Sequence, residues 1–380
     1  MESAIKLVRT LGWAPAQLLQ RLFRRPSALT ARHLILTIGD HFEPAILPGV
    51  WGGRASRGEQ QRRLDRWCRE FPKIAAPWRD SDGYPLRHTY FYPAEQYDEE
   101  LVEQLADHCH AGWGEVEVHL HHGVERPDTA ENTRRILVEF RDRLAGHGCL
   151  SRWEGQHGLR YAFVHGNWAL ANSAGGRNCG VDEELAVLAD TGCYADFTLP
   201  AAPDPAQTAK INALYECGDP LARRAAHRRG RDLTRGRRPA VFPLIVQGPL
   251  AIEFGRGWFG WRPRIENGDI TGSNPATIER LQVWRRAAIG VRGVPDWVFV
   301  KLHCHGMDPR DDDGMLGDLM TSFLHDFTQQ APREWGMKVH FATAREMVNI
   351  ILAACDGREG EPGDYRDYRL RLVGPCRLEW

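Results

Sequence analysis

The residues best suited to chemistry gather at the ends of short apolar runs. EVEVHLHHGV, residues 115–124, packs His119, His121 and His122 into four positions; TIGDH ends on Asp40 and His41, RYAFVHGN carries His165, and VKLHCHG holds His303 and His305. Imidazole titrates near neutrality, so it serves both as a metal ligand and as a general acid or base. On an extended strand Val116, Val118 and Leu120 face one side and His119 and His121 the other, with His122 left open to either. One aspartate with two histidines, drawn from Asp40 and from His119, His121 and His122, suits zinc or a related divalent ion and leaves positions for water and substrate. Such an ion polarises a carbonyl and brings its bound water toward a neutral pKa, which makes hydrolysis the natural reaction class. His303 or His305 would then protonate a leaving amine or stabilise the intermediate.

Strands must deliver these side chains. Segments rich in β-branched and aromatic residues recur at 33–39, 87–92, 115–121, 160–165, 194–199, 241–247, 297–303 and 338–342, each followed by a polar or glycine-containing turn. Helical spacing appears between them: Leu101, Leu105 and Cys109 in 97–110, and Met347, Ile350 and Ile351 in 343–354 behind a capping Thr343. A third helix carries Ile278, Leu281 and Trp284, with Asn274 as its expected N-cap and Pro275 in its first turn. Strands alternating with helices predict an α/β fold, and their number is that of a β/α barrel, whose strands bring their carboxyl ends to one catalytic face.

Two stretches break the rhythm. RRAAHRRGRDLTRGRRP, residues 223–239, is dense in arginine and poor in apolar residues, so it reads as a mobile loop able to meet phosphate. FGRGWFGWRPRIENGDITGSNP reads as a glycine-rich loop whose Trp258, Phe259 and Trp261 can stack on sugar rings. His165, Asn167, Trp168, Trp258 and Trp261 form the candidate substrate-binding set. Lysine and arginine total 49 against 50 acidic residues, which gives no reason to expect a nucleic-acid partner. The 9 cysteines include no Cys-x-x-Cys pair, which suits a reducing, cytoplasmic setting. Residues 1–30 form an amphipathic helical segment without an apolar run long enough for export. Its leucines and arginines read as a helix packed on the domain, with peripheral membrane contact through residues 1–25 as the other reading. One domain then spans 31–356, with an insertion at about 205–240 and a tail at 357–380.

The order of these motifs resembles the polysaccharide deacetylase family of metal-dependent carbohydrate esterases, over residues 33–350. TIGDH stands where the family has Thr-Phe-Asp-Asp-Gly, putting Asp40 on the metal-binding aspartate. HTYFYPAEQYDEELVEQL matches the second strand and helix, EVEVHL puts His119 on the first metal histidine, and VKLHCHG puts His303, with His305 beside it, on the catalytic histidine. The resemblance implies a distorted (β/α)7–8 barrel with loop insertions. It also implies removal of an N-acetyl group from a carbohydrate or glycoconjugate by metal-activated water. Gly39 occupies the place of the family's general base, so that role passes to His41 or Glu43. Gly123 stands where the second metal histidine is expected, so His121 or His122 must serve. Two competing readings are a carbohydrate-binding relative without turnover and a metal-dependent hydrolase of another ester or phosphate.

Overall fold

The computed structural model describes residues 12–24, 30–49, 53–218, 220–257 and 260–374, without the side chains of 255–263. Its strands are β1 (His33–His41), β2 (His88–Pro93), β3 (Gly114–Leu120), β4 (Ser151–Trp153), β5 (Leu159–His165), β6 (Cys193–Asp196) and β7 (Ala213–Cys217). They continue with β8 (Gly230–Asp232), β9 (Leu244–Gln247), β10 (Ala251–Gly257), β11 (Gly260–Glu266), β12 (Asp269–Ile270), β13 (Trp297–Cys304), β14 (Lys338–Phe341) and β15 (Leu370–Leu372). All eight segments expected as strands form one. A mostly parallel central sheet runs in the order β12-β13-β1-β2-β3-β5-β6-β9-β7-β8, with β14 also beside β1, and helices pack against it: the fold is α/β.

Every residue of β1 is buried, as parallel strands covered on both faces require. Alternation divides the central strands between two apolar layers. Leu34, Leu36, Ile38, Val116, Val118, Val300 and Leu302 pack with Leu64, Trp67 and Phe71 of the helix Arg57–Ala75. Ile35 and Phe299 face the other way, onto Phe91, Ala162, Val164 and Phe197. His41, His119 and His303 extend this second face at the carboxyl ends of their strands.

The helix Ala344–Cys355 starts as expected at Thr343, whose side chain accepts from the Glu346 amide while Glu346 returns the bond, a capping box. The helix Ile278–Arg286 is capped by Thr277 and not by Asn274, which leaves Asn274 and Pro275 in the preceding turn; Leu281 and Trp284 are buried.

Three expectations need correction. The arginine-rich segment is packed: β8 pairs with β7, and His227 and Leu233 are buried. Ion pairs supply the order that apolar residues do not, Arg231 with Glu216, Arg235 with Glu359 and Arg238 with Asp356, while Arg224 and Arg228 donate to the carbonyls of Asn172 and Ser173. Residues 357–374 are no tail, since β15 pairs with β4 and buried Arg366 reaches Asp80 at 2.9 Å and Asp82 at 2.8 Å. The glycine-rich loop is a β10–β11 hairpin; Trp258, Phe259 and the side chain of Trp261 lie outside the described residues.

The helix Ala14–Phe23 is held by its polar side. Trp13 and Gln17 are buried, Gln20 donates to the carbonyl of Ile211 and Arg24 to that of Asn212. The packed reading therefore holds for Trp13, Ala16 and Gln17, while Leu18, Leu19, Leu22 and Phe23 face outward. Residues 1–11 and 25 lie outside the described part. No described helix is long and apolar enough to cross a membrane.

Candidate metal centre

β1, β3 and β13 bring His41, His119 and His303 to one end of the sheet, where the chain leaving β1 adds Glu43 and the turn after β13 adds His305. Ligand atoms of His41, Glu43 and His119 lie within 4.8 Å of one another, and all three residues are buried. His119 Nδ1 lies 2.8 Å from the carbonyl of Val164, and Nε2 lies 3.3 Å from Glu43 Oε1. A second-layer carbonyl that fixes the tautomer is what a metal-binding imidazole needs. His121 shares this space, with Nε2 3.7 Å from Glu43 Oε1 and Nδ1 2.7 Å from Glu95 Oε1. The ring of His41 sits 4.9 Å from those of His119 and His305 and 6.2 Å from that of His303.

The electrostatics suit a cation. Burial pushes the Glu43 carboxyl up, but the His119 hydrogen bond and the neighbouring histidines outweigh it and hold the pKa at about 2, so Glu43 is anionic. Burial, reinforced by four surrounding histidines, keeps His41 far below its ordinary pKa and therefore neutral. Burial likewise lowers His303, helped by Lys301. His121 runs the other way, since its bond to Glu95 and the charges of Glu43 and Glu95 outweigh its burial and raise it. Two imidazoles and one carboxylate form a donor set that can hold a divalent ion.

Two clefts meet at this point. One, of about 850 Å³, is lined by Trp168, Asp269, His303, His305, Asp308 and Asp311. The other, of about 610 Å³, is lined by His41, Glu43, Glu95, His121, Asn167 and Trp168. His305, Trp168 and Arg310 border both. Asn167 and Trp168 hold left-handed backbone conformations, each at φ 57°, directly after β5. Asn tolerates that region but Trp does not, so the conformation of Trp168 must be held by its surroundings.

Other expected ligands lie elsewhere. Asp40 points to the opposite face of β1, where it accepts from the Gly306 amide at 2.7 Å and sits beside His88 and Cys304. Burial raises its pKa to about 8, and with His88 and Cys304 it forms a separate buried group that could hold an ion, apart from His119. His122 turns away from His119 and, with His165, joins Cys179 and Glu184 in a separate buried group. A β-carbon at Gly39 would lie 3.1 Å from the ring of Phe91, so a base there would require that ring to shift.

Sequence reasoning missed Glu95, Asp269, Cys179 and Glu184. Glu95 follows the end of β2 and shows the same strand-end habit as the histidines, so its signal was present. Asp269 lies in a two-residue strand too short for any periodicity, and His303 Nε2 comes within 3.7 Å of it. No family model, no curated protein and no solved structure matches this chain.

Proposed function

We propose that this chain is a metal-dependent hydrolase that removes an acyl group, N-acetyl first among them, from a carbohydrate or glycoconjugate, on a distorted β/α barrel of the polysaccharide deacetylase type. The observation that carries this reading is the convergence of His41, Glu43 and His119 within 4.8 Å where two clefts meet. When bound, a divalent ion supplies Lewis acidity toward a carbonyl and an acidified water, and zinc best suits two imidazoles and a carboxylate. Glu43, expected as a stand-in base, serves here as a ligand with His41. His303 and His305 line the cleft, where a ring N–H can hydrogen-bond the leaving group or the developing oxyanion, and Asp269 stands 3.7 Å from His303. Glu95 keeps a proton on His121, whose Nε2 faces the same space and can donate to a developing oxyanion. Trp168 offers an apolar face to a sugar ring, with Asp269 and Asp308 as partners for its hydroxyls.

Purified wild type and His119→Ala, assayed for bound metal and for acetate release from N-acetylated sugars, test this reading. Wild type should carry metal at this centre and release acetate, and the variant should do neither. A wild type that binds no ion on addition of zinc overturns it. The reading of a binding relative without turnover draws on Gly39, which cannot take a proton; firm metal binding with no acetate released from a broad panel would favour it. For the phosphate reading, five arginines of the basic segment are engaged within the protein, while Arg223, Arg224, Arg228 and Arg229 line a pocket that would suit an anion.

The outward Leu18, Leu19, Leu22 and Phe23 support contact of the N-terminal segment with a membrane surface. Co-sedimentation with anionic vesicles, lost on Leu22→Glu/Phe23→Glu, is the expected result; binding that survives this change would end that reading.

A further inference from the structure

We infer that His122, His165, Cys179 and Glu184 form a second metal site, closed and structural, for a tetrahedral divalent ion of the zinc class that fixes segment 166–184 as a wall of the clefts. All four residues are buried, and their ligand atoms lie within 4.8 Å of one another. The Nε2 atoms of His122 and His165 are 3.0 Å apart, and Glu184 Oε1 lies 2.8 Å from the first and 3.4 Å from the second. Each imidazole has its other nitrogen engaged: His122 Nδ1 meets Asp128 Oδ2 at 3.0 Å, and His165 Nδ1 meets the carbonyl of Gly166. With Nδ1–H donated to those oxygens, both Nε2 lone pairs face each other and a carboxylate. That arrangement is repulsive unless a cation stands among them.

A single proton bridges one pair of these atoms and leaves the third unsatisfied. A tetrahedral ion takes all three, with Cys179 Sγ as the fourth donor from 3.5 Å beyond Glu184 Oε2. The outer partners are those of a built site. Asp128, which orients His122, accepts from the Thr133 hydroxyl at 2.9 Å and the Asn132 amide at 2.8 Å, and Glu184 Oε2 accepts from the Ala171 amide at 2.6 Å. Two imidazoles, a thiolate and a carboxylate leave no position for water or substrate, the mark of a structural ion.

The backbone is shaped to close this group. Gly123, at φ +64°, lets the chain after His122 approach Cys179 so nearly that a β-carbon there would lie 2.0 Å from the Cys179 carbonyl oxygen. That carbonyl accepts from the Asp128 amide at 2.8 Å. The ion would tie the end of β3 to both ends of the loop that carries Asn167 and Trp168. It would thereby hold the left-handed conformations of Asn167, Trp168, Ala171 and Asn172.

Cobalt substitution of the full chain tests the site, because only a thiolate ligand gives the intense sulfur-to-cobalt charge-transfer band in the near ultraviolet. Wild type reconstituted with cobalt should show this band at two ions per chain, and a strong chelator should speed amide hydrogen exchange across 166–184. Cys179→Ser should abolish the band. If that variant does not fold, Cys179→Asp replaces the ligand and should keep two ions while losing the band. His119→Ala should keep the band and lose the other ion, which separates failure here from failure at the first centre. A wild type without the band, or a band that persists without Cys179, overturns the proposal.

Discussion

His119 and His122 stand three residues apart and turn into different clusters. The first ends a strand, faces the second apolar layer, and joins His41 and Glu43 at the floor of two clefts. The second lies past the strand, where Gly123 bends the chain, and joins donors sealed from solvent. Similar donor chemistry thus stands in two different settings in one stretch. Three protein donors beside open space leave room for water and substrate, whereas four donors in a closed shell leave none. The difference lies in where the backbone sends each imidazole and not in the residue types.

This contrast is broken most directly by removing one ligand from each cluster. His119→Ala should reduce acetate release to the uncatalysed background while the thermal midpoint changes little, because the other cluster stays intact. Cys179→Ala should do the reverse in its primary effect, lowering the thermal midpoint and weakening its response to added zinc, since a structural ion contributes to folding directly. Calorimetry with and without chelator separates the two. A thermal midpoint that falls equally in both variants would mean that the open centre is structural as well.

The next effect is smaller and bears on the closed cluster alone. Asp128→Ala removes the carboxylate that orients His122. Loss of such an outer partner weakens metal affinity by about 10–100-fold. Competition with a chromophoric chelator should show that loss at one of the two sites only. An unchanged affinity would mean that Thr133, 3.2 Å from the same nitrogen, is sufficient.

Much of this contrast was legible in the sequence, and the part that was not has physical reasons. Alternation along EVEVHLH placed His119 and His121 opposite Val116 and Val118, because a buried strand fixes its faces. The same rule put Asp40 and His41 on opposite faces of β1, yet the family resemblance favoured Asp40 over His41. His122 could not be placed, since a residue past a strand takes its direction from the turn. Cys179 and Glu184 lie 14 and 19 residues beyond His165 by chain position, the first in an irregular segment and the second at the start of the helix Glu184–Thr191, so nothing local announced them. The arginine-rich segment misled because composition reports missing apolar residues and is silent on Glu216, Asp356 and Glu359, which reach it from elsewhere in the chain.

Trp168 sharpens the comparison from the side of the loop, because it borders both clefts while its segment is anchored at the closed cluster. Trp168→Ala should raise KM for sugar substrates with a lesser change in kcat, and leave both ions bound. A fall in kcat at unchanged KM would remove it from the substrate wall.

A third histidine group lies toward the opposite ends of the strands and supplies the control. His33 Nδ1 and His340 Nε2 are 3.0 Å apart, and His340 Nδ1 contacts Asp82 at 2.8 Å, which also accepts from Arg366. Burial pushes the Asp82 carboxyl up, but the His340 hydrogen bond and charge, with Arg366, outweigh it and hold the pKa at about 2, below the ordinary 3.8. Its folded pKa is depressed, so its stabilisation is complete above the ordinary value and is lost as pH falls from about 4 toward 2. Asp82→Asn should flatten the acid side of the stability curve between those values and quicken hydrogen exchange in β15, with the number of bound ions unchanged at two. This group has a guanidinium to satisfy its carboxylate, which the two metal clusters do not. A third ion lost in Asp82→Asn would show that the same cation-seeking geometry operates at both ends of the sheet.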